Sequence, residues 1–159
     1  MIGYVDIKKS IIDVLKAKAN TIKVVANEEL SGFSKPAFFV QMMPISDTAS
    51  IDYEEKLLSI NIHYFSSEKT DFANLKMLDQ LNKAFFNTLK IGDRVITLQG
   101  KRHQIVDNVL QFKFDLEFLN DVDVVEVNGE WIMVTRLDES LGYTEEALKL
   151  AQELEVKEV

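Results

Sequence analysis

VLQFKFDLEFL, residues 109–119, alternates without a break: Leu110, Phe112, Phe114, Leu116 and Phe118 stand against Gln111, Lys113, Asp115 and Glu117. Successive side chains of a strand point to opposite faces, so this spacing predicts a strand with one apolar face on a core and one polar face. It is the clearest period-two signal in the chain. Its aromatics resemble a base-stacking platform in type, but the intervening residues are mixed in sign and the whole chain is acidic, so they read as core. Just upstream, VITL (95–98) and HQIV (103–106) read as short strands.

Working outward, Tyr4, Ile7, Ile11, Val14 and Leu15 recur every three or four residues, which predicts an amphipathic helix over 4–19. IKVVAN (22–27) is short and β-branched and predicts a strand. In PAFFVQMMP (36–44), two prolines without an N–H are expected to bracket a strand rather than sit inside it. Phe38, Val40 and Met42 would face one side and Phe39, Gln41 and Met43 the other; with Gln41 the only polar residue, both faces are expected to be covered. LLSINIHYF (57–65) alternates Leu58, Ile60, Ile62 and Tyr64 against Ser59, Asn61 and His63. A second helix, capped by Thr70 or Asp71, would carry Leu75, Leu78, Phe85 and Leu89 as its stripe, with Leu81 beside it, and stop before Gly92.

Beyond residue 119 the character changes. Asn128-Gly129 between two apolar runs predicts a type I′ hairpin over 122–136. TEEALKLAQELE (144–155) predicts a helix capped at Thr144, with Leu148, Ala151 and Leu154 or Leu150 as a narrow stripe. Of the formal charge of −8, the last 22 residues hold −5. The expected class is α/β of the α+β kind: a mixed, mostly antiparallel sheet, two main helices, and a C-terminal hairpin and acidic helix. The expected organisation is a core over 1–119 and an extension over 120–159.

Composition narrows the function classes. With 159 residues, 47% hydrophobic and 28% charged, the chain has globular composition. The absence of cysteine excludes disulfides, thiolate catalysis and Cys-ligated zinc. No apolar run approaches the roughly 20 residues that span a bilayer, and MIGYVDIKKSIIDVLKAK lacks the unbroken apolar stretch of a signal peptide, so no membrane is expected and synthesis in the cytoplasm is. The acidic balance argues against binding phosphate backbones, which takes lysine and arginine.

Candidate chemistry is sparse. His103 and Asp107 share no helix face, and in a strand they would stand about 13 Å apart, a poor catalytic pair. The carboxylates at Asp52, Glu54 and Glu55, and at Asp121 and Asp123, lack the frame and glycine of a calcium loop. Neither a phosphate-cradling glycine motif nor a nucleophile elbow occurs. No catalytic, metal or cofactor residues are expected, which favours a binding or assembly protein over an enzyme. The alternative from another class is a small-molecule-binding or enzymatic domain with a pocket near His103 and Asp107.

NEELSGFSKPAFFVQMMPIS resembles the signature of the phage tail terminator family, with its Glu-rich lead, G-F-x-x-P turn and apolar strand holding a central Gln and a closing Pro. INIHYF and IGDRVITLQGKRHQIVDNVLQFKFDLEF are similar to later parts of that family, in the same order, over roughly residues 4–119. The resemblance implies a small subunit that forms a ring, typically a hexamer, on the finished tail tube, stops its polymerisation and joins it to the head. It implies contacts with the tail tube protein, with a neck or head-completion protein, and with a sheath protein if the tail is contractile; DNA would only pass through the lumen. The location implied is the virion tail or neck, after assembly in the host cytoplasm. Another neck or head-joining component is the nearer alternative. Interface residues rather than catalytic ones are implied. The segments 45–55 and 68–71 are polar and flank patterned elements, so they are expected to be contact loops. The candidates are Phe33, Lys35, Asp47, Asp52, Glu54, Glu68, Lys69 and Arg102.

Overall fold

The computed structural model describes residues 1–27, 31–50, 53–121 and 123–134. In chain order the elements are α1 (Tyr4–Lys18), β1 (Lys23–Val25), β2 (Ala37–Ala49), β3 (Tyr53–Phe65), α2 (Asp71–Ala84), β4 (Thr88–Ile91), β5 (Arg94–Thr97), β6 (Gln99–Val106), β7 (Val109–Asp121), β8 (Asp123–Val127) and β9 (Glu130–Val134). Five strands form one sheet in the order β1-β2-β3-β7-β6, with β1 parallel to β2 and β6 antiparallel to β7. The sheet is mixed and mostly antiparallel, as the patterning predicts.

The described residues fall into two compact units, one within residues 2–47 and 56–118 and a smaller one with Met1, 48–50, 53–55, 119–121 and 123–134. In the larger, the alternation of β7 sets the core: Leu110, Phe112, Phe114, Leu116 and Phe118 are all buried on one face. They join Phe38 and Val40 of β2, and Leu58, Ile60 and Ile62 of β3. Ile7, Ile11 and Leu15 of α1, and Met77, Leu78 and Leu81 of α2, complete the same cluster from the helix side. Both helices are closed by their own chemistry. The Asp6 carboxylate accepts from Gly3 N–H (3.0 Å) at the start of α1, and Thr70 Oγ1 accepts from Ala73 N–H (3.3 Å) at the start of α2.

In the smaller unit, Ser50 N–H donates to the Tyr53 carbonyl (2.8 Å) and Asn120 Nδ2 donates to Glu54 Oε1 (2.8 Å). Strands β8 and β9 pair antiparallel about Asn128 (φ 50°) and Gly129 (φ 79°), the type I′ geometry that Asn-Gly predicts. The predicted acidic helix over 144–155 lies outside the described residues.

Several expectations are corrected. Pro44 does not end β2 but sits within it, and the expected contact loop at 45–55 is mostly strand, with β2 running to Ala49 and β3 starting at Tyr53. The reason is topological: β1 pairs β2 only as far as Phe39, so among the described residues one edge of β2 is free from Val40 onward, and proline is tolerated in such an edge segment. Helix α2 stops at Ala84, and Leu89 belongs to β4. Gly92 (φ 62°) is not a helix terminator but the first residue of the two-residue turn joining β4 to β5, where Ile91 pairs with Arg94. Leu75 is 52% exposed, because Asn74 and Met77 take the inward positions instead. Finally, among the described residues β2 is covered on one face: Gln41 is exposed and Phe39 and Met43 are half-buried on the other.

Candidate assembly surface

The sheet face turned away from the helices is polar but not bare. Arg102 on β6 grips Asp115 on β7 with both terminal nitrogens (3.3 Å each), donates to the Gly100 carbonyl (2.7 Å) and reaches Ser59 Oγ on β3 (3.2 Å). A forked guanidinium on a carboxylate fixes direction as well as distance. Gly100 makes room for it. At φ 57° it forms the irregularity between Gln99 and Arg102, and a Cβ there would come within 3.0 Å of the Asp115 carboxylate.

Beside this clamp, Asn61 Nδ2 and Gln104 Nε2 both donate to Gln111 Oε1 (3.2 Å each), tying β3, β7 and β6 together. Nearer β2 the face becomes aromatic. Phe33 meets Phe65 edge-on at 4.7 Å, His63 lies 5.5 Å from Phe39 and 6.4 Å from Phe65, and its Nε2 bonds to Gln41 Oε1 at 3.2 Å. Desolvation, followed by the charge of Lys113, holds the His63 imidazole below its ordinary pKa of 6.5. The unfolded chain therefore takes up a proton at a higher pH than the folded one, and stability drops as pH falls from 6.5 toward the folded value. We expect urea midpoints to decline across that window in the wild type and the decline to be smaller in His63→Gln; an unchanged slope would remove His63 from the account.

On the opposite side of the larger unit, the Tyr4 hydroxyl donates to Asp47 Oδ1 (2.6 Å), and Lys56 Nζ reaches the same oxygen (3.3 Å) while lying 4.5 Å over the Tyr4 ring. The tyrosine hydrogen bond above all, then Lys56, holds Asp47 below its ordinary carboxylate value. Tyr4, Lys56, Ser59 and Asp115 were not singled out from the sequence. Tyr4 counted as part of a helix stripe, and the others are single polar residues inside strands, with no spacing signal to mark their partners.

The described structure places most of the predicted interface residues. Phe33 and Arg102 belong to the open sheet face, Asp47 to the α1 side, and Glu54 to the smaller unit. Lys35, Glu68 and Lys69 are exposed, with Glu68 N–H donating to Ser66 Oγ (3.1 Å). Asp52 lies outside the described residues. His103 stands exposed opposite Phe112, while Asp107 (φ 51°) opens the turn to β7, so the structure does not bring that pair together. Among the described residues no cluster of three or more histidines and carboxylates could hold a metal, and no helix is long and apolar enough to cross a membrane.

A family model described as phage tail terminator protein matches residues 6–128, from the first turn of α1 to the turn after β8. The chain belongs to the phage tail terminator family. A comparison with curated proteins finds no match. Family membership gives this tail terminator chain a structural role in the phage tail, and the match covers the β6–β7 clamp and the aromatic strip alike.

Proposed function

We propose that this tail terminator subunit closes into a ring on the end of the tail tube, halts tube growth and presents the surface on which the head is joined. The observation that carries the reading is the family match over 6–128, which takes in a core with helices on one sheet face and a polar, aromatic-edged second face free of them. A ring closes when one patch of each subunit binds a different patch of the next, and such a fold offers distinct sides for that purpose. Termination then follows from shape. One axial face copies the top of the tube, while the other withholds the docking surface a further tube subunit would need.

In this reading the ring is a hexamer assembled in the host cytoplasm, with a neck or head-completion protein above, tube protein below and sheath outside if the tail contracts. Residues 1–119 act as the body and 120–159 as a separate extension; Lys35, Glu68, Lys69 and the 48–55 connection supply contacts to neighbours. No catalytic step is involved. A hexamer would carry 6 × −8 = −48 formal charges, which suits DNA passing through the lumen without adhering. The test is to polymerise tube protein with and without this chain. Short tubes capped by a ring of about six subunits' mass are expected; an unchanged distribution of tube lengths would overturn the reading.

A further inference from the structure

One surface of the larger unit has no role in that reading: a groove of about 630 Å³ between the outer side of α1 and the free edge of β2. Its floor is apolar, made by Val5, Ile12, Met42 and Pro44, and Val5 is 80% exposed. Its rim is basic, made by Lys8, Lys9 and Lys16, none of which forms an ion pair among the described residues. Solvent-facing lysines can lay their methylene stems on an apolar partner while keeping their charge at the edge. A partner for this groove must be apolar along one stripe and acidic beside it.

We infer that the groove receives residues 144–155 of a neighbouring copy of this chain. That stretch combines Leu148, Ala151 and Leu154 at helical spacing with Glu145, Glu146, Glu153 and Glu155. As a helix its 12 residues would extend about 18 Å, the same length as the 12 residues of α1 from Val5 to Lys16. The signs agree in detail: the groove's single lining acid is Asp13, and the segment's single base is Lys149. Segment and groove are different patches, so the contact is head-to-tail, the kind that closes a ring. The inference rests on the ring reading and names the joint between its subunits.

The test uses three full-length chains: wild type, a groove variant (Lys8→Glu, Lys9→Glu, Lys16→Glu) and a segment variant (Glu145→Lys, Glu146→Lys, Glu153→Lys). Sedimentation gives the mass in solution, and growth of tube protein gives the capping. Each variant alone is expected to self-associate roughly 100-fold more weakly, because like charges then face each other. An equimolar mixture should recover the wild-type mass, since the reversed segment of one fits the reversed groove of the other. Because the altered lysines and glutamates meet only in a neighbour, recovery on mixing requires docking between copies. Variants that keep the wild-type mass, or that stay dissociated when mixed, as docking within one chain would leave them, overturn the inference. If wild type still forms rings and caps tubes in those cases, the ring reading stands; if wild type does neither, both fall.

Discussion

Replacing Phe114 by alanine is expected to remove about 3–5 kcal/mol of folding stability. Phe114 is fully buried at the middle of β7. Its ring lies 5.5 Å from Phe85 in a stacked arrangement and 6.2 Å from Phe112 edge-on, while Phe85 and Phe112 are themselves 6.2 Å apart. Phe85 is the residue that closes α2, its N–H donating to the Leu81 carbonyl (2.8 Å), so this aromatic trio joins the end of the helix to the sheet. Alanine would forfeit the transfer energy of the ring and two aromatic contacts, and leave a cavity that rigid strands on both sides cannot collapse to fill. Urea unfolding followed by tryptophan-independent circular dichroism measures this directly. Val95→Ala, at a site 64% exposed, serves as the control and should move stability by less than about 0.5 kcal/mol. A Phe114→Ala loss no larger than the control's would mean that the inner face of β7 is not the centre of the core.

How far such a core was readable depends on the range of the signals involved. The alternation of 109–119, the stripe of α1 and the Asn-Gly turn each need only neighbouring residues, and each appears in the structure where the patterning places it. Pro44 misled because the meaning of a proline in a strand depends on whether the neighbouring strand continues beside it, and the end of β1 at Val25 is a property of the pairing. Gly92 misled because glycine serves helix ends and hairpin turns alike, and the β-branched Thr88 and Ile91 that favour the hairpin lie within the expected helix span. The covered second face failed for a related reason. Phe39 and Met43 look like core in sequence, yet the residues beside them on that face are Gln41, His63 and Lys113 from three different strands. The candidate site was less legible still. Arg102 was marked, but its partners Asp115 and Ser59 come from the order β3-β7-β6, which no local pattern encodes.

Asn74→Asp is the second substitution expected to have a large effect, of roughly 3–5 kcal/mol at neutral pH, and it tests a polar tie between α2 and the β6–β7 turn. Asn74 is fully buried, with its Nδ2 donating to the Asn108 carbonyl (3.3 Å) and its Oδ1 without a partner. The turn it holds is demanding: Asp107 (φ 51°) and Asn108 (φ 61°) both occupy the left-handed region, and the strand that follows carries the core face of the sheet. Aspartate keeps the size and shape of the side chain but places a buried, ionised oxygen opposite the Asn108 carbonyl oxygen, where the amide had donated. The folded state can accept it only protonated, so the new carboxyl's pKa must rise above the unfolded value near 4. A raised acid costs nothing below the unfolded pKa and destabilises progressively as pH climbs above it. Measured against wild type at each pH, the deficit should therefore be largest at pH 7 and shrink toward pH 4, where a protonated carboxyl can donate to the Asn108 carbonyl in place of the amide. Asn74→Leu separates the two components: it removes the hydrogen bond without adding a charge, and its deficit should not change with pH. An Asn74→Asp deficit that is equally flat would show that the side chain reaches water, and that the helix does not hold the turn in the way the buried amide implies.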